Sequence, residues 1–237
     1  MTIVGMLYPG HSAEDDYPYL ESALGSGIRF PVVHTSVGVD AHEVEALLDL
    51  GNSERLLDGA RQVLDFSPDA VMWACTSGSF VFGWEGARQQ ARNIEETIKI
   101  PTASTSMAFA AALAHLGLRR VTVAATYPQD VAQHFVDYLD HANVEVLELK
   151  SHDIPTAKEA GQLDHGGVFA LARSNNTAGS EAILIPDTAL HTARWLNELE
   201  SALDKPVLTA NQVTAWHGLR LAGDNVTSTE LGVLFRA

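Results

Sequence analysis

The sequence predicts an α/β fold of two similar halves, each a mainly parallel sheet flanked by helices, and three observations predict it. Short runs rich in Val, Ile, Leu and Ala, bounded by Gly, Pro, Asp or Ser, alternate with longer stretches of helical periodicity. That alternation is the pattern of parallel strands joined by helical crossovers. Three segments of the first half recur in order in the second. The chain, at 237 residues, is long enough to bury a substantial core without disulfide or metal staples.

Strands are expected at residues 2–9 (TIVGMLYP), 29–37 (RFPVVHTSV), 69–75 (DAVMWAC), 102–106 (TASTS), 119–127 (RRVTVAATY), 144–152 (VEVLELKSH), 181–186 (EAILIP) and 207–211 (VLTAN). Helices are expected between them. Residues 40–50 place apolar side chains at 44, 47, 48 and 50, and Ser53 offers an N-cap acceptor to SERLLDGARQVLDF. Residues 93–98 and 192–203 are periodic in the same way, and 129–141 runs amphipathically after Pro128. The stretch 161–180 has a helical centre and a polar, Gly-containing tail. Trp216 and His217 fall on a helix after TANQVT, where packing or a cap contact explains them better than catalysis.

The internal echo organises these elements. IVGMLYPG resembles VTVAATYPQD, each an apolar strand ending in Tyr-Pro, at Tyr8-Pro9 and Tyr127-Pro128. DAVMWACTS resembles EAILIPDTA, and KIPTASTSMAFAAAL resembles DKPVLTANQVTAWHGL. Tyr8 and Cys75 are 67 residues apart and Tyr127 and Asp187 are 60 apart, which suits duplicated halves with different loops. The expected division is residues 1–105 plus 215–237 against 106–214. In such Rossmann-like halves the carboxyl ends of the central strands open onto a shared cleft, where parallel sheets bind ligands, and Cys75 would face Asp187 there.

Charge and cysteine usage exclude several functions. The net charge of -15 would repel nucleic acid and anionic lipid, and the basic residues form no cluster larger than pairs such as Arg119-Arg120. One cysteine closes no internal bridge, and no apolar run approaches the roughly 20 residues that span a bilayer. MTIVGMLYPG begins with strand-like sequence instead of a basic leader, so the cytoplasm is the expected location. A small anionic substrate remains compatible, provided local donors hold it against the overall field.

Cys75 is the first candidate for chemistry. A lone cysteine at a strand end is often packing, but Thr76, Ser77 and Ser79 supply hydroxyls, and Gly78 lets backbone N–H groups approach a ligand. A helix starting nearby would lower the thiol pKa and attract an anion. Asp187 reads either as a cap for a following helix or as a general acid or base, whose pKa partial burial would raise. Tyr127 offers a phenol to a substrate carboxylate or simply packs. The ten histidines show no zinc spacing, and neither a phosphate loop, a dinucleotide fingerprint nor a G-x-S-x-G elbow is present. Chemistry without metal or organic cofactor is expected.

The segments CTSGS at 75–79, LGLRRVTVAATYPQDV at 116–131, EAILIPDTAL at 181–190 and KPVLTANQVTAWHGLR at 205–220 resemble the aspartate/glutamate racemase superfamily over nearly the whole chain. Within it they resemble the branch of maleate cis-trans isomerases and arylmalonate decarboxylases. The resemblance implies two pseudo-symmetric halves around one site, no cofactor, and an enediolate-like intermediate. It gives Cys75 the place of the first thiol, the nucleophile of the isomerases. Thr76, Ser77 and Tyr127 match donors to the carboxylate that becomes the enediolate, and losing one such donor commonly costs about 2.7–4 kcal/mol. Pro9 and Gly10 match a loop lining the pocket, and Thr188 follows the second catalytic position.

Asp187 departs from the pattern, standing where these enzymes carry cysteine, and Gly10 stands where isomerases often have Asn. The leading expectation is a cofactor-independent isomerase acting on a small dicarboxylate through Cys75. Decarboxylation of a substituted malonate is the alternative, followed by an amino-acid or hydantoin-type racemase and a non-catalytic ligand-binding member. The partner is a small carboxylate, with a homo-oligomer possible and neither nucleic acid nor membrane involved.

Overall fold

The computed structural model describes residues 1–237. Its first half runs β1 (Thr2–Pro9), α1 (Asp16–Leu24), β2 (Ile28–Arg29), β3 (Val32–Thr35), α2 (Val44–Leu50), α3 (Ser53–Val63), β4 (Ala70–Trp73), α4 (Ser77–Phe80), α5 (Gly83–Ile98), β5 (Thr102–Ser104) and α6 (Thr105–Leu116). The second runs β6 (Arg120–Ala125), α7 (Gln129–Asp140), β7 (Glu145–Ser151), α8 (Ala157–Ala160), α9 (His165–Ser174), β8 (Ala182–Ile185), α10 (Leu196–Leu203), β9 (Val207–Thr209), α11 (Ala210–Leu221) and α12 (Gly232–Arg236).

All strand pairs are parallel. One sheet has the order β2-β1-β4-β5 with β3 also on β1, and the other has β7-β6-β8-β9. The echoed segments therefore occupy equivalent places: β1 and β6 are central and end near Tyr-Pro, while β4 and β8 lead into Cys75 and Asp187. Their continuous apolar sequences match strands buried on both faces.

The core crosses between the sheets. One apolar cluster contains Val4 and Met72 from the first sheet, Val123 and Leu184 from the second, and Phe109 and Val213 from α6 and α11. Helix α11 follows the second sheet but packs on β1, β4 and β5 of the first, and on α6. Gly218 permits this approach, because a Cβ there would lie 2.5 Å from Val4 Cγ1 and 2.9 Å from Met72 Cγ.

The structure corrects several local expectations. The strand expected at 29–37 is broken at Phe30-Pro31, since Pro31 has no N–H for a ladder, and its two pieces pair separately with β1. Asn52, not Ser53, caps α3, accepting from Arg55 N at 3.1 Å; the helix tightens to a 3₁₀ turn over Leu64–Phe66. Helix α5 begins at Gly83, ten residues before the expected 93–98 segment, and α1 lies in a gap between strands where no particular segment stood out as helical. Residues Ala193–Trp195 form a 3₁₀ turn before α10.

Hydrogen bonds tie the halves on both sides of the cleft. On one side Tyr8 Oη donates to Thr188 O at 2.8 Å and Ser12 Oγ to Ala189 O at 2.9 Å. Buried Asp16 accepts there from the Thr192 and Ala193 N–H groups and from Asn211 Nδ2, at 3.0, 3.2 and 3.1 Å. On the other side His42 N donates to Pro155 O at 2.7 Å, and Asp40 accepts from Ala157 N and Lys158 N at 3.0 and 3.3 Å. No helix is long and apolar enough to cross a membrane.

Candidate active site

Between these two sets of bonds lies a cavity of about 210 Å³ at the carboxyl ends of β1, β4 and β8. Pro9, Gly10, Cys75, Ser77, Asp187 and Thr188, all singled out in the sequence, line it. Thr76 and Tyr127 do not; both are buried behind the wall. The rest of the wall includes Val37, Val39, Asp40 and His42 after β3, Leu47 and Leu50 of α2, and Ala157 and Lys158 of α8.

The turn that presents Cys75 is held from below. Ser79 Oγ donates to Ser106 Oγ at 2.6 Å, Ser106 Oγ donates to Thr76 O at 2.9 Å, and Gln90 Nε2 donates to Gly78 O at 3.0 Å. The Ser79 hydroxyl thus serves the turn and is not left for a ligand. Behind the turn, a Cβ at Gly51 would lie 2.2 Å from Gly78 O, so only glycine lets α2 end that close.

Cys75 is 3 % exposed, and Gly78 N donates to its Sγ at 3.3 Å with Ser77 Oγ 3.9 Å away. Burial pushes its pKa from the ordinary 9.0 up to about 12; the Gly78 N–H and Ser77 hydroxyl pull the other way, and the nearby Asp187 charge adds to the rise. The expectation that the following helix would lower this pKa is therefore reversed, because desolvation outweighs the donors of the short α4. Cys75 rests as a neutral thiol. Such a thiol holds roughly a thousandfold less thiolate near neutral pH than an ordinary cysteine, so iodoacetamide should alkylate Cys75 at least about a thousandfold more slowly than free cysteine at pH 8. Mass spectrometry of timed samples checks this, and labelling at the free-cysteine rate would contradict it.

Asp187 is 4 % exposed and built as an acceptor. Its Oδ2 takes the Thr126 hydroxyl and its Oδ1 takes Ala189 N–H at 2.9 Å, a local turn that turns the carboxylate back onto its own loop. Tyr127 donates its single proton to Pro186 O at 2.6 Å. Burial, then the charges of Asp187 and Cys75, hold that phenol well above its ordinary pKa, against the opposing pull of the Ser77 and Thr76 hydroxyls. It can donate to a substrate only by exchanging the Pro186 bond. Thr76 Oγ1 is buried behind the wall without a hydrogen-bond partner of good geometry.

One group of side chains has the makings of a metal site: His11, Glu14 and His34, with ligand atoms within 4.8 Å of one another. His34 Nδ1 contacts Gly10 O at 2.5 Å, and the His11 and His34 imidazole centroids are 3.8 Å apart with the rings tilted by 34°, closer than two rings sharing one zinc at about 2.0–2.1 Å would stand. Glu14 is engaged by Ser12 N–H and His11.

The model of a protein family described as arylmalonate decarboxylase matches residues 23–235. The chain belongs to that family. The arylmalonate decarboxylase of Bordetella bronchiseptica is 26 % identical over 219 residues, which are 92 % of this chain and 82 % of that protein. Among solved structures, the maleate isomerase Iso of Pseudomonas putida superposes with a TM-score of 0.89 at 20 % identity, covering 99 % of this chain and 98 % of that one. A Nocardia farcinica maleate cis-trans isomerase variant, solved with a covalently bound succinylcysteine intermediate, has the same score, identity and coverage. A liganded arylmalonate decarboxylase variant, with one glycine changed to cysteine and one cysteine to serine, superposes at 0.86 with 24 % identity over 99 % of both chains. The likeness to both groups agrees with the fold and branch that the sequence motifs imply.

Proposed function

We propose that this protein isomerises a small cis-enedioate with its own side chains, Cys75 adding to the double bond. The observation that carries this reading is the placement of Cys75 Sγ and Asp187 on the walls of one small cavity at the ends of equivalent strands. A thiol with a pKa of about 12 is ionised at pH 7 only at a cost of about 7 kcal/mol, so the thiolate must form in the complex with a local acceptor for its proton. Asp187, at the end of β8, is a carboxylate on the same wall; Asp40, the other, is held by the Ala157 and Lys158 N–H groups.

The steps balance. The Cys75 proton passes to Asp187, Sγ bonds to one alkene carbon, and the π pair moves into the carboxylate on the other carbon to give an enediolate. Ser77 on the wall is the donor at hand for its oxygens, while Thr76 and Tyr127 lie behind the wall and would reach them only by moving, Tyr127 by releasing Pro186. Rotation about the new single bond and expulsion of Sγ give the trans product, and Cys75 recovers its proton.

A second reading has its own support. The resting thiol is an acid, as needed by a decarboxylase in which carbon dioxide leaves a malonate and Cys75 protonates the resulting enediolate. Incubation of enedioates, substituted malonates, and amino and hydroxy acids in deuterated water, followed by NMR, separates the two, with intact mass read in parallel. Cis-to-trans conversion and a mass increase localised to Cys75 support isomerisation. Carbon dioxide release with one deuterium at the α-carbon supports the second reading, and neither signal with any class would sink both.

A further inference from the structure

Lys158 is the only lysine or arginine on the cavity wall. Its ammonium makes no ion pair and no hydrogen bond, while its backbone N–H is fixed on Asp40 Oδ2 at 3.3 Å. On the same wall stands His42, 4 % exposed, whose Nδ1 lies 2.7 Å from Ile154 O and whose ring meets Tyr127 edge-on at 4.8 Å. A carbonyl only accepts, so Nδ1 carries the hydrogen and Nε2, which makes no hydrogen bond, is an acceptor that suits a donor and not a carboxylate. Leu47, Leu50, Val37 and Ala41 give the cavity an apolar lining as well.

We propose that Lys158 holds the carboxylate of the substrate that does not become the enediolate, and so makes the site selective for dicarboxylates. The inference rests on the reading that Cys75 and Asp187 mark the reacting end. Three physical points carry it. A chain of net charge -15 needs a local cation to admit a dianion, and Asp187 and Asp40 on the same wall sharpen that need. Asp40 is already occupied by the two N–H groups it accepts, so it does not neutralise Lys158 through a direct contact. An ammonium on the cavity wall that is free of any ion pair is a ready partner for one carboxylate. The apolar lining suits the short hydrocarbon between the two charged ends.

The test uses succinate and butyrate, which have four carbons each, differ by one carboxylate, and lack the double bond that Cys75 would attack. By calorimetry the wild-type protein should bind succinate roughly tenfold or more tightly than butyrate, as a charge-assisted contact predicts. Lys158→Met should bring succinate down to the butyrate level and leave butyrate within about twofold, while Lys158→Arg should restore most of the preference. Lys158 is exposed, so an unchanged melting temperature in both variants will show that the fold is intact. A wild-type protein without preference for succinate, or a Lys158→Met variant that keeps it, would overturn the inference. Failure of the isomerase reading looks different: the succinate preference persists, but no enedioate turns over and no adduct forms on Cys75.

Discussion

Cys75→Ser is expected to lower turnover of the enedioate roughly 10⁴-fold or more, with no adduct detectable by mass. The loss is chemical and not structural, since the exchange is nearly isosteric and Cys75 makes only one backbone-donated contact through Sγ. Burial that pushes a thiol to about 12 acts on a hydroxyl too, and a hydroxyl starts from a far higher pKa. Neighbouring Ser77 does not substitute, because its hydroxyl belongs to the first turn of α4 and is itself a donor near Sγ. Initial rates and a thermal melt give the answer together. Retention of more than about one per cent of the rate would place the nucleophile elsewhere, given that a lost nucleophile costs several orders of magnitude.

Parts of the fold were legible because single residues and short runs specify them. TIVGMLYP matches β1 residue for residue, since a continuous apolar run ending in Tyr-Pro has no helical alternative of that length. The echo between the halves foretold two sheets with equivalent central strands. Helix α1 escaped notice because Pro18 stands within DYPYLESAL, although its ring is harmless in a first turn, where the N–H has no intrahelical partner. The first turns of α5 were obscured by Gly83 and Gly86, yet Ala87, Gln90, Ala91, Ile94 and Ile98 form a buried stripe at helical spacing. The stripe was a readable signal that the glycines masked.

The site divides in the same way. Its reacting end sits on strand ends, so sequence position alone brought Cys75, Ser77, Asp187 and Thr188 toward one place. Its other end depends on loops from both halves meeting through backbone atoms, as in the His42 N–H bond to Pro155 O, and backbone bonds leave no residue signature. That is why His42 and Lys158 were not singled out. The withdrawal of Tyr127 and Thr76 behind the wall is a matter of rotamer and partner choice, which a chain of letters does not carry.

Asp187→Asn should slow turnover at pH 7 by roughly 10²–10⁴-fold, the usual loss when a positioned base is removed. Asparagine preserves the shape of the loop: its oxygen can still accept from Ala189 N–H, and its amide can donate to the Thr126 hydroxyl. What disappears is the acceptor for the Cys75 proton, leaving solvent to do that work. The sign of the pH response follows from the thiol. Its raised pKa means that thiolate appears only as the solution becomes alkaline, increasing about tenfold per pH unit below 12. The variant's rate should therefore climb with a slope near one between about pH 7 and 10, whereas the wild type, with its base in place, should not follow that line. Loss of the aspartate charge also removes one cause of the thiol's high pKa, which moves the variant's curve toward lower pH. Asp187→Cys should fall between the two, because a second thiol restores a titratable group while changing its basicity. A flat, wild-type-like profile for Asp187→Asn would remove Asp187 from proton transfer and leave it as a support for its own loop.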